Sequence, residues 1–193
     1  MDKDTSFAKL VSLGCHDVRT PLATVHGFAK TLERVTELAP PADRYVEMIG
    51  RASTEMAELL DELSLAARIE QGTYEPTLRE ADTAALVEAA RVRLGEDRVH
   101  VTGEGATVST DVEAVERGVS ALIQAALRHG GLDEVSVEVR GPAISVQPVT
   151  ESSSAVVLGR ELRDLGAAVA VRLIERLGGT VEVEDGVLQI ALG

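Results

Sequence analysis

The chain of 193 residues has little cysteine and few aromatic side chains, and these shortages exclude several kinds of protein. Cys15 is its only cysteine, which excludes an internal disulfide and any metal site built from several cysteines. We expect Cys15 to be a small buried residue. Aromatic residues make up 2% of the chain and hydrophobic residues 45%, so the core must be aliphatic.

Positive charge is also scarce. The chain has 19 Lys and Arg residues against 32 Asp and Glu residues, which gives a net charge of −13. Nucleic acids and anionic membranes attract basic surfaces, so we predict neither as a partner. No apolar run approaches the ~20 residues that span a bilayer, and the charged first turn is unlike a signal peptide. We therefore expect a cytoplasmic chain without a sensor domain of its own.

The most informative stretch runs from Gly14 to Leu22 and reads Gly-Cys-His-Asp-Val-Arg-Thr-Pro-Leu. It lies in a helical pattern, because the apolar residues around it recur at the spacing of one buried stripe. That stripe consists of Phe7, Leu10, Val11, Val18, Leu22, Val25, Phe28, Ala29, Leu32 and Val35. His16 falls off the stripe, on the flank of Ser12 and Thr20, so its imidazole should face solvent or a partner. Pro21 costs ~3 kcal/mol in a helix interior, and packing alone does not require it.

This stretch resembles the phosphoacceptor box of bacterial sensor histidine kinases, H-[DE]-x-[RK]-[TN]-P-L, and fills every position of it. The resemblance implies that His16 accepts a phosphoryl group on one ring nitrogen. It also implies that Asp17 orients or deprotonates the other nitrogen, and that Thr20 helps to place a water for dephosphorylation. A neutral imidazole is nucleophilic at physiological pH without burial or a metal ion. We expect Ser12 and Arg19 to form a docking face for a partner, with Arg19 meeting its acidic groups.

Residues 1–75 are predicted to form a dimerisation and histidine phosphoacceptor domain. Two long helices meet near Ala39-Pro40-Pro41-Ala42, and the second runs from about Asp43 to Glu70. The apolar residues of the second helix follow a heptad-like pattern for about four heptads. They are Tyr45, Met48, Ile49, Ala52, Met56, Leu59, Leu60, Leu63, Ala66 and Ala67. Two such helices alone expose a long seam, so we predict that two chains pair into a four-helix bundle.

Residues 80–193 alternate helices with strands and are predicted to form a second domain. Asp82 or Thr83 is expected to cap a helix that ends at Gly95, and a capping box at Thr110-x-x-Glu113 to start another. The second of these helices is expected to end at Gly130-Gly131, and another helix is expected over Leu162–Leu177. Alternating apolar residues predict strands at Val99–Val101, Val135–Val139 and Ile144–Val146. A final hairpin is expected to turn at Asp185-Gly186. The predicted fold class is α+β: an N-terminal helical hairpin in a dimeric four-helix bundle, then a C-terminal α/β sandwich.

The order of the second domain resembles the ATP-binding domain of histidine kinases, whose usual nucleotide motifs are altered here. The family's N-L-x-x-N-A-x-[KR]-[YH] motif aligns with residues 121–129, and Ala125 stands where the family has the asparagine that organises magnesium. Alanine has no oxygen with which to bind the ion. Arg128 and His129 remain as phosphate contacts, and both also fit a helix C-terminus that balances its dipole.

The two glycine motifs are altered as well. The D-x-G-x-G motif should lie near residues 145–150, which contain neither the acid nor the glycines. The G-x-G-L-G motif aligns with residues 162–166, where Gly166 is the one glycine left. Side chains of Arg163 and Asp164 occupy places where backbone amides should approach phosphates. The segment from Gln147 to Gly159 is also short for an ATP lid and is rich in Ser and Val.

These departures lead us to predict a histidine phosphotransferase of a two-component phosphorelay that does not bind ATP. His16 would exchange a phosphoryl group with the aspartate of a response-regulator receiver domain. We expect no cofactor and no metal ion bound by this chain, with magnesium supplied by the receiver. The first alternative is a non-catalytic dimeric scaffold for response regulators. The second is a histidine kinase with a divergent ATP site.

Overall fold

A computed structural model of the protein describes residues 3–35 and 38–193, with the side chains of residues 3–6 and 35 left out. Val35, the last residue of the predicted stripe, therefore has its side chain outside the described part. The chain divides into two compact units, Met1–Thr73 and Tyr74–Gly193. A helical hairpin followed by an α/β unit with a mixed sheet confirms the hairpin and the α/β part of the predicted fold class, and the dimeric bundle stays a prediction. Within the described ranges no helix is long and apolar enough to cross a membrane.

The first unit is a pair of long helices, α1 (Lys3–Val35) and α2 (Ala42–Glu70), which pack against each other. Helix α1 continues through Pro21. Small side chains dominate the buried contact, which lets the two backbones approach closely. The buried residues are Ala8, Cys15, Leu22 and Ala29 on α1 and Val46, Gly50, Ser53 and Ala67 on α2. Burial of Cys15 is thus confirmed.

Most of the large apolar side chains of the hairpin remain exposed to solvent in a single chain. They are Phe7, Leu10, Leu13, Val18, Val25, Phe28 and Leu32 on α1 and Tyr45, Met48, Ile49, Met56, Leu59 and Leu63 on α2. The prediction of one buried stripe is therefore wrong for the single chain. The apolar pattern comprises two neighbouring faces on each helix, and one partner helix can cover only the face that it contacts.

The second unit has four helices and seven strands in its described order. They are β1 (Leu78–Asp82), α3 (Thr83–Leu94), β2 (Val99–Gly105), β3 (Thr107–Asp111), α4 (Val112–Gly130), β4 (Val135–Gly141), β5 (Ala143–Gln147), α5 (Glu151–Val157), α6 (Leu165–Arg176), β6 (Thr180–Glu184) and β7 (Val187–Ala191). Five strands form one sheet in the order β2-β4-β5-β7-β6, in which β2 and β4 are parallel and the other pairs antiparallel. Strands β1 and β3 form a separate antiparallel pair. The core between the large sheet and helices α3, α4 and α6 is aliphatic, as predicted.

The start of α4 differs from the prediction of a capping box at Thr110 and Glu113. The N-cap is Asp111, whose carboxylate accepts a hydrogen bond from the amide of Ala114 at 3.4 Å. Thr110 lies in β3 and is buried. The predicted end is confirmed, because α4 stops at Gly130 and Gly131 adopts the left-handed conformation with φ of 63°.

The start of the last helix and two regions of the chain also depart from the sequence prediction. Helix α6 begins at Leu165 after the N-cap residue Asp164, whereas we placed its start near Leu162. Strands β1 and β3 were missed because both are short and polar and lack an alternating apolar pattern. Helix α5 was missed because its Ser-rich sequence has low helix propensity, and a capping box between Thr150 and Ser153 starts it.

Candidate functional site

His16 lies on the part of α1 that faces solvent. Its side chain is 78% exposed and that of Asp17 is 68% exposed, whereas the preceding Cys15 is buried against α2. The helical register produces this contrast, because consecutive residues point about 100° apart around the helix. The imidazole is therefore accessible to a second protein or to a nucleotide.

One hydrogen bond indicates which ring nitrogen of His16 carries the proton and which is the nucleophile. The Nδ1 atom of His16 lies 3.2 Å from Oδ1 of Asp17. An ionised carboxylate can only accept hydrogen bonds, so Nδ1 carries the proton of the neutral ring. The lone pair then resides on Nε2, and this nitrogen is the nucleophile. The arrangement agrees with the orienting role that the resemblance implies for Asp17, and that role stays a prediction.

The other predicted residues are close to His16 along the helix, and two of them contact α2. Arg19 donates a hydrogen bond from Nη2 to Oδ1 of Asp61 at 2.7 Å, and the two side chains are about half exposed. Ser12 accepts a hydrogen bond from Nε2 of Gln71 at 3.1 Å. Thr20 is exposed one turn after His16. The docking role of Ser12 and Arg19 and the dephosphorylation role of Thr20 stay predictions.

A groove of about 330 Å³ lies between α1 and α2, just beyond the phosphoacceptor residue along α1. Its lining is mostly apolar or small, with Arg19 at one end and His26 and Ser53 inside. Nδ1 of His26 lies 3.1 Å from Oγ of Ser53, which in turn donates to the carbonyl of Gly50 at 2.8 Å. The sequence alone gave no signal for this groove.

In the second unit, the positions that align with nucleotide motifs are well packed. Ala125 is fully buried in α4, so it faces the core. The segment that we compared with an ATP lid contains α5, and Ser153, Val156 and Val157 of this helix are fully buried. The amide of Val149 donates to the carbonyl of Gly186 at 2.7 Å, which ties the segment before α5 to the final hairpin.

A cluster of charged side chains joins the end of α4 to the start of α6. Oδ2 of Asp164 lies 3.0 Å from Nε2 of His129 and 3.9 Å from Nη1 of Arg128. Its other oxygen, Oδ1, accepts from the amide of Ala167 at 3.0 Å. Ser152 of α5 donates to the carbonyl of His129 at 2.9 Å. The sequence indicated Arg128 and His129, but their contact with Asp164 could not be read from the sequence because the partners are 35 or more residues apart.

Comparison with known proteins shows what this part of the chain is similar to. Residues 9–72, which include His16 and Asp17, match the family described as the His Kinase A (phospho-acceptor) domain. The chain is histidine kinase-like. It is similar to sensor protein KdpD of Mycobacterium tuberculosis, with 27% identity over 212 aligned residues that cover 91% of this chain and 24% of KdpD. Sensor histidine kinase TrcS of the same species is 30% identical over 73 residues, 37% of this chain and 14% of TrcS.

Solved structures show the same fold for this histidine kinase-like chain. Full-length ShkA in complex with AMPPNP superposes with a TM-score of 0.69 and 20% identity, covering 96% of this chain and 46% of ShkA. The histidine kinase AdeS of Acinetobacter baumannii superposes with a TM-score of 0.56 and 19% identity, covering 92% of this chain and 97% of AdeS. The chain spans about a quarter of the length of KdpD.

These findings correct the predicted function. The relatives of this histidine kinase-like chain are a sensor protein and a sensor histidine kinase, and one structural neighbour was solved with the ATP analogue AMPPNP. Our prediction of a histidine phosphotransferase that works without ATP is therefore wrong. It gave too much weight to three altered motifs, whereas the similarity to sensor protein KdpD extends over 91% of the chain.

No magnesium site is evident among the residues that the structure describes. Ala125 is buried and offers no oxygen ligand. Among residues 3–35 and 38–193, no group of three or more His, Cys, Asp or Glu side chains is placed to hold a metal ion. That magnesium comes from the receiver, and that the chain binds no cofactor, stay predictions.

Proposed function

We propose that this chain is the phosphoacceptor and ATP-binding part of a sensor histidine kinase with a divergent ATP site. The observation that carries the proposal is the exposed His16, hydrogen-bonded through Nδ1 to Asp17, within a His Kinase A (phospho-acceptor) domain. The relationship with KdpD over 91% of the chain supports a kinase, because it includes the second unit as well as the helical hairpin. A cytoplasmic location accompanies the proposal, because ATP is found there.

The proposed reaction is transfer of the γ-phosphoryl group of ATP to Nε2 of His16. A nitrogen–phosphorus bond forms while the bond from phosphorus to the ADP oxygen breaks, and ADP leaves. The ring gains positive charge as Nε2 attacks, and the Asp17 carboxylate at 3.2 Å stabilises that charge and can take the Nδ1 proton. Positioning supplies most of the catalysis in such transfers, so the in-line approach to Nε2 is what the protein must provide.

The proposed acceptor from phosphorylated His16 is the aspartate of a response-regulator receiver domain. The nitrogen–phosphorus bond breaks and a carboxyl oxygen of the aspartate forms the new bond to phosphorus, which returns His16 to its neutral state. The groove beside His16 supports docking of a protein partner, because it is apolar, open and bordered by Arg19. The Arg19–Asp61 pair is half exposed, so a partner's acid can exchange with Asp61 at little cost.

We also propose that the chain acts as a homodimer. The exposed apolar residues of α1 and α2 form a continuous face beside the contact between the two helices. An exposed apolar surface of this extent on a soluble helical pair indicates an interface. A second copy of the same face completes a four-helix bundle, in which each copy covers the other by two-fold symmetry.

The proposal is tested by incubating the chain with ATP labelled at the γ-phosphate. Label should appear on the wild type and be absent from His16→Gln, which keeps the size and polarity of the side chain. His26→Gln is the matched control, because His26 lies on the same helix but outside the phosphoacceptor stretch, and it should retain the label from ATP. Equal labelling of His16→Gln and wild type would contradict the assignment of His16.

A non-catalytic scaffold for response regulators is the second candidate, and one observation favours it. Arg128 and His129 already contact the carboxylate of Asp164, so the chain itself occupies groups that could contact a phosphate. A scaffold needs only the hairpin and its receiver-docking groove. In that case His16→Ala would bind a receiver domain as tightly as wild type and would leave phosphate flow unchanged, whereas the kinase proposal predicts that phosphate flow is lost.

A further inference from the structure

We propose that Asp164 is a built-in competitor of nucleotide phosphate, which restrains ATP binding by occupying Arg128 and His129. The inference rests on the proposed kinase function and concerns regulation of the same ATP site. It starts from the ion-pair cluster at the junction of α4 and α6. Arg128 and His129 are also the two residues that align with phosphate-contacting positions of the altered nucleotide motif.

The geometry shows that both carboxylate oxygens of Asp164 are used within the chain. Oδ2 faces His129 at 3.0 Å and Arg128 at 3.9 Å, while Oδ1 caps α6 through the amide of Ala167. The side chains of Asp164 and His129 are only 12% and 14% exposed, so their contact is shielded from water more than a surface pair is. The Asp164 carboxylate thus contacts basic side chains with one oxygen and the N-terminus of α6 with the other. A bound phosphate group would make the same two kinds of contact.

A nucleotide phosphate that approached these groups would meet the negative charge of Asp164 at the same place. Two anions within about 4 Å repel each other strongly when they are partly shielded from water. The phosphate would also have to replace the existing contacts of His129 before gaining its own. Both effects weaken nucleotide binding in the wild type, and both depend on the charge of one side chain.

Replacing Asp164 by asparagine removes the negative charge of the side chain but keeps its role as the N-cap of α6. Asparagine is as good an N-cap residue as aspartate, so Asp164→Asn keeps the hydrogen bond from the Ala167 amide and removes the negative charge. Asp164→Ser preserves the cap with a different side chain and is the second variant. Glu161→Gln is the matched control, because Glu161 lies three residues earlier and pairs with Arg163 at 2.6 Å.

The test is calorimetric titration of the whole chain with ADP, which has no γ-phosphoryl group to transfer. We expect Asp164→Asn to bind ADP about tenfold or more tightly than wild type, with Asp164→Ser similar and Glu161→Gln unchanged. Most of the gain should persist at about 0.5 M salt, because salt screens a pair this shielded from water much less than it screens a surface pair. Unchanged thermal unfolding of Asp164→Asn would show that the cap persists.

The inference is overturned if neither variant at position 164 binds ADP more tightly than wild type, whatever the wild-type affinity. Failure of the proposed function is seen in a different measurement, the labelling of wild-type His16 from ATP. Label on His16 together with equal ADP affinities would retain the kinase and reject the role of Asp164. A tighter Asp164→Asn without any wild-type label would support the competitor and count against the kinase.

Discussion

At the scale of single residues, the chemistry of the site depends on which nitrogen of His16 carries the proton. The contact from Nδ1 to Asp17 assigns that proton, and the exposure of both side chains leaves Nε2 accessible. The sequence predicts His16 and Asp17 because they are adjacent in a short motif on a helix. Their roles come from the resemblance to the phosphoacceptor box, whereas their exposed position follows from the helical repeat and needs no knowledge of tertiary contacts.

Replacing Asp17 by asparagine tests its orienting role. Asp17→Asn keeps the shape of the side chain but removes the carboxylate that stabilises the ring as Nε2 attacks. We expect phosphorylation of His16 to slow by about 10² to 10⁴, the range for loss of one acid–base group. The measurement is the initial rate of label incorporation from ATP. Since Asp17 is exposed, thermal unfolding should not change, and an unchanged rate would remove Asp17 from the mechanism.

Asp111 provides a prediction about stability and pH. Burial alone would raise the pKa of its carboxyl, but hydrogen bonds from Tyr74 and from the amides of Thr77 and Ala114, with the charge of Arg117, outweigh burial and lower this pKa below its ordinary 3.8. A lowered pKa in the folded state means that the ionised group stabilises the fold above about pH 4. That contribution is lost as the pH falls through the lowered value.

Asp111→Asn should therefore destabilise the second unit most at neutral pH, by about 1.5 to 3 kcal/mol for the lost charged hydrogen bonds. The difference from wild type should narrow below about pH 4, as Asp111 of the wild type becomes protonated. Urea unfolding at several pH values measures it. Tyr74→Phe, which removes the 2.8 Å bond from the Tyr74 hydroxyl, is the partial control. A difference that is constant from pH 7 to about pH 2 would contradict the account.

At the scale of helices and strands, Pro21 is the unusual feature of α1. The helix continues through it, yet proline has no amide hydrogen, so the carbonyl of Asp17 cannot receive the usual helical bond from residue 21. This weak point lies immediately beside His16. It should make the phosphoacceptor turn open more readily than the rest of α1.

Pro21→Ala should strengthen that turn. Alanine restores the amide donor and removes the ring clash, and together these cost up to about 3 kcal/mol in a helix interior. Hydrogen exchange of the amides of residues 17–24 should slow, and the thermal midpoint should rise. Pro76→Ala, which lies outside the helices and strands, is the control and should leave both nearly unchanged. Faster exchange in Pro21→Ala would contradict the argument.

The elements also show which parts of the fold the sequence could predict. Helix α4, with its strong apolar pattern and Gly130-Gly131 end, was predictable, and so was the hairpin at Asp185-Gly186. Strands β1 and β3 were not, because their pairing and a buried Tyr74 stabilise them rather than their own composition. The contact between His129 and Asp164 depends on how two distant helix ends meet, which no local pattern encodes. The altered motifs were visible, but their functional meaning was misjudged.

At the scale of the whole molecule, dimerisation follows from the apolar face of the hairpin. Phe28 is 68% exposed in the single chain, so a charge there should not disturb the hairpin itself. In a dimer the same side chain would be buried, and full burial of Phe is worth about 1.5 to 3 kcal/mol for each copy.

Phe28→Glu should therefore weaken dimerisation by about a hundredfold or more, since two copies lose the burial and gain a buried charge. Analytical ultracentrifugation over a range of concentrations measures the monomer fraction. Phe28→Leu keeps an apolar side chain at the same place and should remain dimeric. A monomeric wild type, or a Phe28→Glu variant that dimerises equally well, would contradict the proposed bundle.

The most direct measurement of the central claim is mass-spectrometric mapping of the phosphate after the whole chain is incubated with ATP and magnesium. The account predicts an acid-labile phosphate on the peptide that contains His16, with Nε2 as the modified atom in the phosphohistidine. A chain that carries no phosphate, or carries it on a residue other than His16, would contradict the account.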